Sequence, residues 1–215
     1  MMHRFQVFRA ALTALCFLVS PSLGSAQEKP VEVVAFGDSL SAGFGVGPGE
    51  SFPEQLQAAL KAKGYDVAVA NAGVSGDTTS GGLQRIDWSV PPTAKLVILE
   101  LGANDALRGI SPAITKKNLD DMLKRLTERG QKVVLAGMLA PPNMGEDYAA
   151  SFNPIYKRLA EKYAVPLYPF FLDGVAGNRD LNQPDGMHPT KAGVAVVVER
   201  ILPLVTKELD AIRAG

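Results

Sequence analysis

Residues 33–45 read VVAFGDSLSAGFG, four apolar residues running straight into Gly37-Asp38-Ser39-Leu40. An apolar run that ends in small polar residues marks a buried strand giving way to a loop. In an open α/β sheet, the loop at the carboxyl end of a strand faces the crevice where ligands bind. Ser39 then has two readings: a nucleophile held over that crevice, or a residue that merely caps the next segment. The remainder of the chain bears on which applies.

Upstream, Arg4 and Arg9 precede the apolar stretch from Ala10 to Val19, and Gly24-Ser25-Ala26 precedes Gln27. This pattern is expected of a secretory signal cleaved after Ala26, because the apolar stretch is too short to span a bilayer. Residues 1–26 are therefore read as a signal, and residues 27–215 as one domain destined for the periplasm or the exterior. Setting the signal aside leaves 189 of the 215 residues, a length suited to a single core. Cys16 and His3 leave with it, so the mature chain has no cysteine and one histidine, His188. Disulfides, thiolate metal sites, a cysteine nucleophile and a multi-histidine metal centre are all excluded. The mature chain carries 20 basic and 22 acidic side chains with no basic block. Neither a nucleic-acid partner nor an anionic membrane surface is implied. The expected partner is a small or apolar molecule.

Downstream, apolar runs and helical stripes alternate. Strands are expected over Val31–Phe36, Asp66–Asn71, Leu96–Leu101, Val133–Met138 and Val165–Tyr168, the last at an edge because of Pro166. Ser51-Phe52-Pro53-Glu54 is a capping box that opens a helix, and Ser111-Pro112 opens another that Gly130 closes. One further helix is expected from Tyr148 to Tyr163, on an aromatic face read as core. A last helix is expected with Pro189 in its first turn and Pro203 kinking or splitting it. Between strands two and three lies the small, polar stretch Asn71 to Thr79. Its continuation, Thr78 to Gly82, is read as a mobile loop able to gate access. Five alternations argue an α/β fold, flavodoxin-like and three-layered: a five-stranded parallel sheet in the order 2-1-3-4-5, with helices on both faces. In that order the loops bearing Ser39, Gly76 and Asn104 converge on one crevice.

Acyl transfer needs a nucleophile, a base, a group that orients the base, and donors for the oxyanion. Ser39 is the candidate nucleophile, and His188 is the one imidazole available as base. Asp185, three residues earlier, can reach the ring nitrogen that faces away from Ser39. Candidate oxyanion donors are the backbone N–H groups of Ser39 and Gly76 and the side-chain amide of Asn104. Gly76 suits close backbone approach because it lacks a Cβ.

Four blocks carry these residues: Gly37-Asp38-Ser39-Leu40, Ser75-Gly76-Asp77-Thr78, Gly102-Ala103-Asn104-Asp105, and Asp185-Gly186-Met187-His188-Pro189. In this order they resemble the SGNH or GDSL hydrolase superfamily over essentially the whole mature chain. Gly82-Leu83 and Leu107-Arg108-Gly109 add a likeness to its periplasmic multifunctional thioesterase, lysophospholipase and arylesterase branch in Gram-negative bacteria. The resemblance implies Ser39, Asp185 and His188 as the triad, Ser39, Gly76 and Asn104 as the oxyanion hole, and no metal or other cofactor. Gly-x-Ser-x-Gly is absent around Ser39, which separates the chain from lipases with a strained nucleophile elbow.

The substrate class implied is an acyl ester or thioester: an arylester, an acyl-CoA or a lysophospholipid. Phe44, Leu107, Ile110, Met144 and Met187 are the candidate acyl-chain contacts. A carbohydrate O-deacetylase on the same machinery is one alternative, although it would need polar groups to hold a sugar. A non-catalytic flavodoxin-like binding protein is another, since one scaffold carries many functions. No stable membrane insertion is expected after signal cleavage, and the mature protein is expected to be a monomer.

Overall fold

The central ladder is the pairing of β1 (Val31–Gly37) with two parallel neighbours: β2 (Val67–Gly73) on one side and β3 (Leu96–Glu100) on the other. β4 (Lys132–Ala136) and the two-residue β5 (Leu167–Tyr168) complete a parallel sheet in the order β2-β1-β3-β4-β5. This is the expected order, with β5 at the edge. These relations come from a computed structural model, which describes residues 1–2 and 29–214. The stretch read as a secretory signal lies largely outside the described residues. Among the described residues, no helix is long and apolar enough to cross a membrane.

Residues Val33 to Phe36 and Leu96 to Leu99 are fully buried, as expected of strands covered on both faces. Helices α2 (Phe52–Ala62) and α8 (Lys191–Ala214) pack together on one face. Helices α3 (Thr79–Ser89), α5 (Pro112–Glu128) and α7 (Ile155–Tyr163) pack in series on the other. The capping box is present at α2, where Glu54 accepts from both the N–H and the hydroxyl of Ser51. The register sets Gly37 beside both Gly73 and Glu100. The carboxyl ends of three neighbouring strands therefore lie level, and their loops meet.

Several boundaries differ from the sequence-based expectation, each for a local reason. Two short helices, α1 (Ser39–Ala42) and α4 (Ala103–Leu107), stand where loops were expected. The aromatic helix is two helices, α6 (Glu146–Phe152) and α7, separated by Asn153 and Pro154. A proline at that point removes a donor and clashes with the preceding turn. Pro189 is not in the first turn of α8; it pairs in an isolated antiparallel bridge with Asn182. Pro203 does not split α8, which runs through it. Both Pro203 and Glu199, whose carbonyl loses its partner, are exposed, so water can replace the missing bond.

The stretch Thr78–Gly82 is not a loop. Thr78 caps α3, and Thr79 to Gly82 form its first turn, with Thr79 fully buried. A Cβ on Gly82 would lie 2.3 Å from a methyl of buried Leu101. The segment is therefore part of a packed helix and not the mobile gate that its glycines suggest.

Gly73 shows how closely the sheet approaches the first short helix. A Cβ there would lie 2.3 Å from the backbone nitrogen of Ala42 and 2.8 Å from the carbonyl of Asp38. Backbone cannot yield as a side chain can, so Gly73→Ala is expected to cost about 1–3 kcal/mol, lowering Tm by about 2–12 °C. Differential scanning calorimetry checks this; an unchanged Tm would contradict the packing described.

Candidate active site

Gly37 ends β1 because nothing larger fits. A Cβ there would lie 2.3 Å from both the Glu100 carboxylate and the Ser41 hydroxyl. Asp38 follows and caps α1, its Oδ1 accepting from the backbone N–H of Leu40 at 3.0 Å. Asp38, and not Ser39, is thus the capping residue, and the Ser39 hydroxyl is left for another partner. That partner is His188, whose Nε2 lies 2.9 Å from Ser39 Oγ.

His188 is carried on the loop between β5 and α8. The loop closes on itself through Gln183 N–H to the His188 carbonyl at 2.7 Å and Thr190 N–H to the Leu181 carbonyl at 2.9 Å. Asp185 sits within this closed loop. Its Oδ1 accepts from the N–H groups of Met187 and His188 at 2.9 and 3.0 Å, and its Oδ2 lies 2.7 Å from His188 Nδ1. The two backbone donors, then the imidazole, hold the Asp185 carboxyl down at about 2. An ionised Asp185 can only accept, which places the imidazole proton on Nδ1 and leaves Nε2 to accept from Ser39.

One consequence can be measured. Because the folded pKa of Asp185 lies below its unfolded value of about 3.9, the resulting stability is present above about pH 4 and lost as pH falls towards 2. Asp185→Asn is therefore expected to melt below the wild type at pH 6, with the difference closing by about pH 2. A difference that persists undiminished at pH 2 would contradict this.

Asn104 lies in α4, which starts after Gly102 in a left-handed conformation at φ +117. A Cβ on Gly102 would strike the Tyr156 hydroxyl. The Asn104 amide donates to Asp38 Oδ2 at 3.1 Å, which fixes the orientation of the amide and leaves its second N–H free of that bond. The neighbouring Asp105 is fully buried and accepts from the Thr79 backbone at 2.8 Å and from the Thr115 hydroxyl at 3.1 Å. α4 is thereby tied to α3 and α5. Gly76 is exposed and left-handed at φ +79, and its carbonyl accepts from Arg108 at 2.7 Å.

Three polar residues around this site were not singled out from the sequence. Asp38 is buried, and desolvation raises its carboxyl to about 6. Glu100, also fully buried, accepts from Ser41 Oγ at 2.7 Å and from the Asp38 N–H at 3.3 Å. Burial and then the nearby Asp38 push its carboxyl well above the usual range. Glu100 Oε1 has no hydrogen-bond partner, as suits a carboxyl kept neutral. Its sequence signal was there: one acid in the otherwise aliphatic run Leu96 to Leu101, at a strand end that the register sets beside Gly37, two residues before Ser39. Gln183 donates to the Phe44 carbonyl at 2.7 Å and the Pro189 carbonyl at 3.0 Å, tying the loop after α1 to the histidine loop.

A cavity of about 520 Å³ opens beside the serine. Ser39, Asn104 and His188 line it, together with Leu40, Leu107, Met138, Leu139, Pro141, Phe170, Leu172 and Met187. Of the proposed acyl-chain contacts, Leu107 and Met187 face it, while Phe44 packs its ring 4.6 Å from that of His188. Ile110 and Met144 lie outside the lining, as does Gly76. Much of the apolar wall comes instead from the loops after β4 and β5. Among the described residues, no cluster of three or more His, Cys, Asp or Glu side chains is placed to hold a metal ion.

A hydroxyl, an imidazole and a carboxylate joined in that order can carry out acyl transfer, and comparison with known proteins leads to the same class of enzyme. The chain belongs to the GDSL-like lipase/acylhydrolase family, which matches it over residues 35–196. It is a hydrolase of the esterase and thioesterase class. It is 38% identical to esterase TesA of Pseudomonas aeruginosa, over 91% of this chain and 96% of that protein. It is 32% identical to thioesterase 1/protease 1/lysophospholipase L1 of Escherichia coli, over 97% of this chain and 100% of that protein. The crystal structure of AlinE4, an SGNH-hydrolase family esterase, superposes with a TM-score of 0.71 at 47% identity, covering 86% of this chain and 99% of that one.

Proposed function

We propose that the enzyme hydrolyses acyl esters and thioesters through an acyl-enzyme on Ser39, with His188 as general base and Asp185 orienting it. The observation that carries this reading is the continuous hydrogen-bond chain from Ser39 Oγ through His188 to Asp185, at the wall of an apolar cavity. As Oγ attacks the carbonyl carbon, its proton passes to His188 Nε2. The oxyanion of the tetrahedral intermediate is received by the N–H groups of Ser39 and Gly76 and by the Asn104 amide. Collapse of the intermediate breaks the bond to the leaving alcohol or thiol, which takes the proton from Nε2. Water then attacks the acyl-serine, giving up a proton to Nε2, and the second collapse returns that proton to Ser39 Oγ.

The lining favours an acyl chain over a sugar, since its walls are largely leucine, methionine, proline and phenylalanine. Arylesters, acyl-CoA and lysophospholipids are the proposed substrates, in keeping with the activities named for the Escherichia coli relative. The reading of residues 1–26 as a signal carries with it a periplasmic or secreted location, and the mature protein is proposed to act as a monomer.

Among p-nitrophenyl esters from acetyl to palmitoyl, kcat/KM is expected to rise from acetyl to a medium chain by about tenfold or more, since each buried methylene contributes about 0.8 kcal/mol. The thioester and phospholipid arms use acyl-CoA and lysophosphatidylcholine. A profile that is highest at acetyl and falls from there, joined to turnover of acetylated sugars, would favour the deacetylase reading instead.

A further inference from the structure

Arg85 is a buried cation that the proposed chemistry does not use, and its contacts gather on the ends of the two strands, and the loop after the second, that lead to the reacting centre. It belongs to α3, and its side chain is 8% exposed. Nε donates to Asp77 Oδ2 at 2.7 Å, Nη1 to the Ala72 carbonyl at 2.7 Å, and Nη2 to the Gly37 carbonyl at 2.8 Å. A longer contact, Nη1 to Ser89 Oγ at 3.4 Å, stays within α3. The guanidinium carbon lies 4.1 Å from the centre of the Phe36 ring. Gly37 stands two residues before Ser39, Ala72 is near the end of β2, and Asp77 directly follows Gly76. One side chain therefore spans the last residues of two strands and the loop beyond the second.

We propose that Arg85 is a positioning residue that sets the spacing between the Ser39 and Gly76 backbone donors. The proposal rests on the oxyanion assignment above. β1 and β2 pair no further than Gly37 and Gly73, so the ladder ends before either donor. Beyond that point, one backbone bond, from Val74 N–H to the Gly37 carbonyl at 3.0 Å, joins the β2 exit to β1. Arg85 reaches further, to Asp77 on the far side of Gly76. Burying a guanidinium is costly unless its planar fork finds several acceptors at once. This geometry supplies two carbonyls and one carboxylate. A lysine has a single nitrogen at the end of a flexible stem and cannot hold all three. Arg85 does not line the cavity, so its loss should leave ground-state binding alone. What it should disturb is the fit to the charge that develops on the carbonyl oxygen, where a misplacement of about 1 Å costs on the order of 100-fold.

The test compares wild type, Arg85→Lys and Asp77→Asn, each assayed well below its own Tm. Three readouts are taken: kcat, KM, and the affinity of an alkylboronic acid, whose tetrahedral serine adduct places an oxygen at the oxyanion position. Arg85→Lys is expected to lower kcat by about 10- to 100-fold with KM within twofold, and to weaken the boronic acid by a comparable factor. Asp77→Asn, which keeps the Gly37 and Ala72 contacts, should show the same pattern at smaller size. It decides the matter if Arg85→Lys does not fold. A kcat near wild type, or a lowered kcat with unchanged boronic acid affinity, would overturn the proposal and reduce Arg85 to a structural role visible only in Tm. Failure of the underlying acyl-serine reading would look different: the wild type itself would form no boronic acid adduct at Ser39.

Discussion

Ser39→Ala is expected to lower kcat by about 10,000-fold or more, His188→Ala by a similar factor, and the double variant scarcely further, because the groups act as a unit. The expectation follows from the 2.9 Å contact between Ser39 Oγ and the imidazole nitrogen left as acceptor by the bond to Asp185. Without Ser39 there is no attacking hydroxyl, and without His188 that hydroxyl has no acceptor for its proton. The sequence holds one other histidine, His3, at the N-terminus, and His188 is the imidazole bonded to Ser39. Steady-state kinetics on a p-nitrophenyl ester checks all three variants. A Ser39→Ala enzyme that keeps a tenth of wild-type turnover would remove the serine from the chemistry.

The second large effect is expected at Asn104. If its amide donates to the oxyanion only as charge develops there, Asn104→Ala should lower kcat by about 100- to 1,000-fold, roughly 2.7–4 kcal/mol, with KM nearly unchanged. Asn104→Asp should be at least as damaging, and the structure supplies a reason beyond the lost donor. The new carboxylate would face Asp38 across the 3.1 Å now bridged by the amide, and Asp38 is already a buried acid raised to about 6. Two carboxylates at that distance cannot both ionise, so Asn104→Asp should also melt lower than Asn104→Ala. Asp38→Asn offers two amides to each other and should lose part of the same kcat by freeing the Asn104 side chain to turn. Near wild-type turnover in Asn104→Asp would eliminate the oxyanion role.

The fold was legible where periodicity is strong. Buried aliphatic runs such as Leu96 to Leu99 and the capping box at Ser51 need only local chemistry, and five strand–helix alternations restrict the order of the sheet. Elements shorter than a helical repeat were not legible. α1 and α4 are too short to show an apolar stripe, and both are held by side chains distant in sequence: Ser41 bonded to Glu100, and Asp105 bonded to Thr79 and Thr115. Gly81 and Gly82 imitate a flexible loop in sequence, yet Gly82 is small because Leu101 lies against it. Pro189 carries helix-start chemistry but is taken up by the bridge to Asn182, which closes the histidine loop.

The site divides in the same way. His188 could be picked out because the chain has one other histidine, His3, while Ser39 was marked by its place at the end of an apolar run and Asp185 by its spacing of three from His188. The structure places the three within hydrogen-bond reach. The supporting residues were hidden. Asp38 and Arg85 act through contacts between elements distant in sequence, and nothing in their immediate sequence distinguishes them from a cap or a helix surface charge. Glu100 stands out as one acid in an aliphatic run, but its partners Ser41 and Asp38 are supplied only by the fold. The cavity wall was hidden for a related reason. Met138, Leu139 and Phe170 follow strands on the far half of the sheet, and only the tertiary approach of those loops turns them towards the serine.

The most direct test of the account is to trap the intermediate. Wild-type enzyme mixed with p-nitrophenyl octanoate, acid-quenched within milliseconds and mapped by peptide mass spectrometry should carry one octanoyl group, on the peptide containing Ser39 and at its hydroxyl. The same treatment of Ser39→Ala should give no adduct and no turnover. An octanoyl group found on another residue, or undiminished turnover by the alanine variant, would contradict the acyl-enzyme on Ser39.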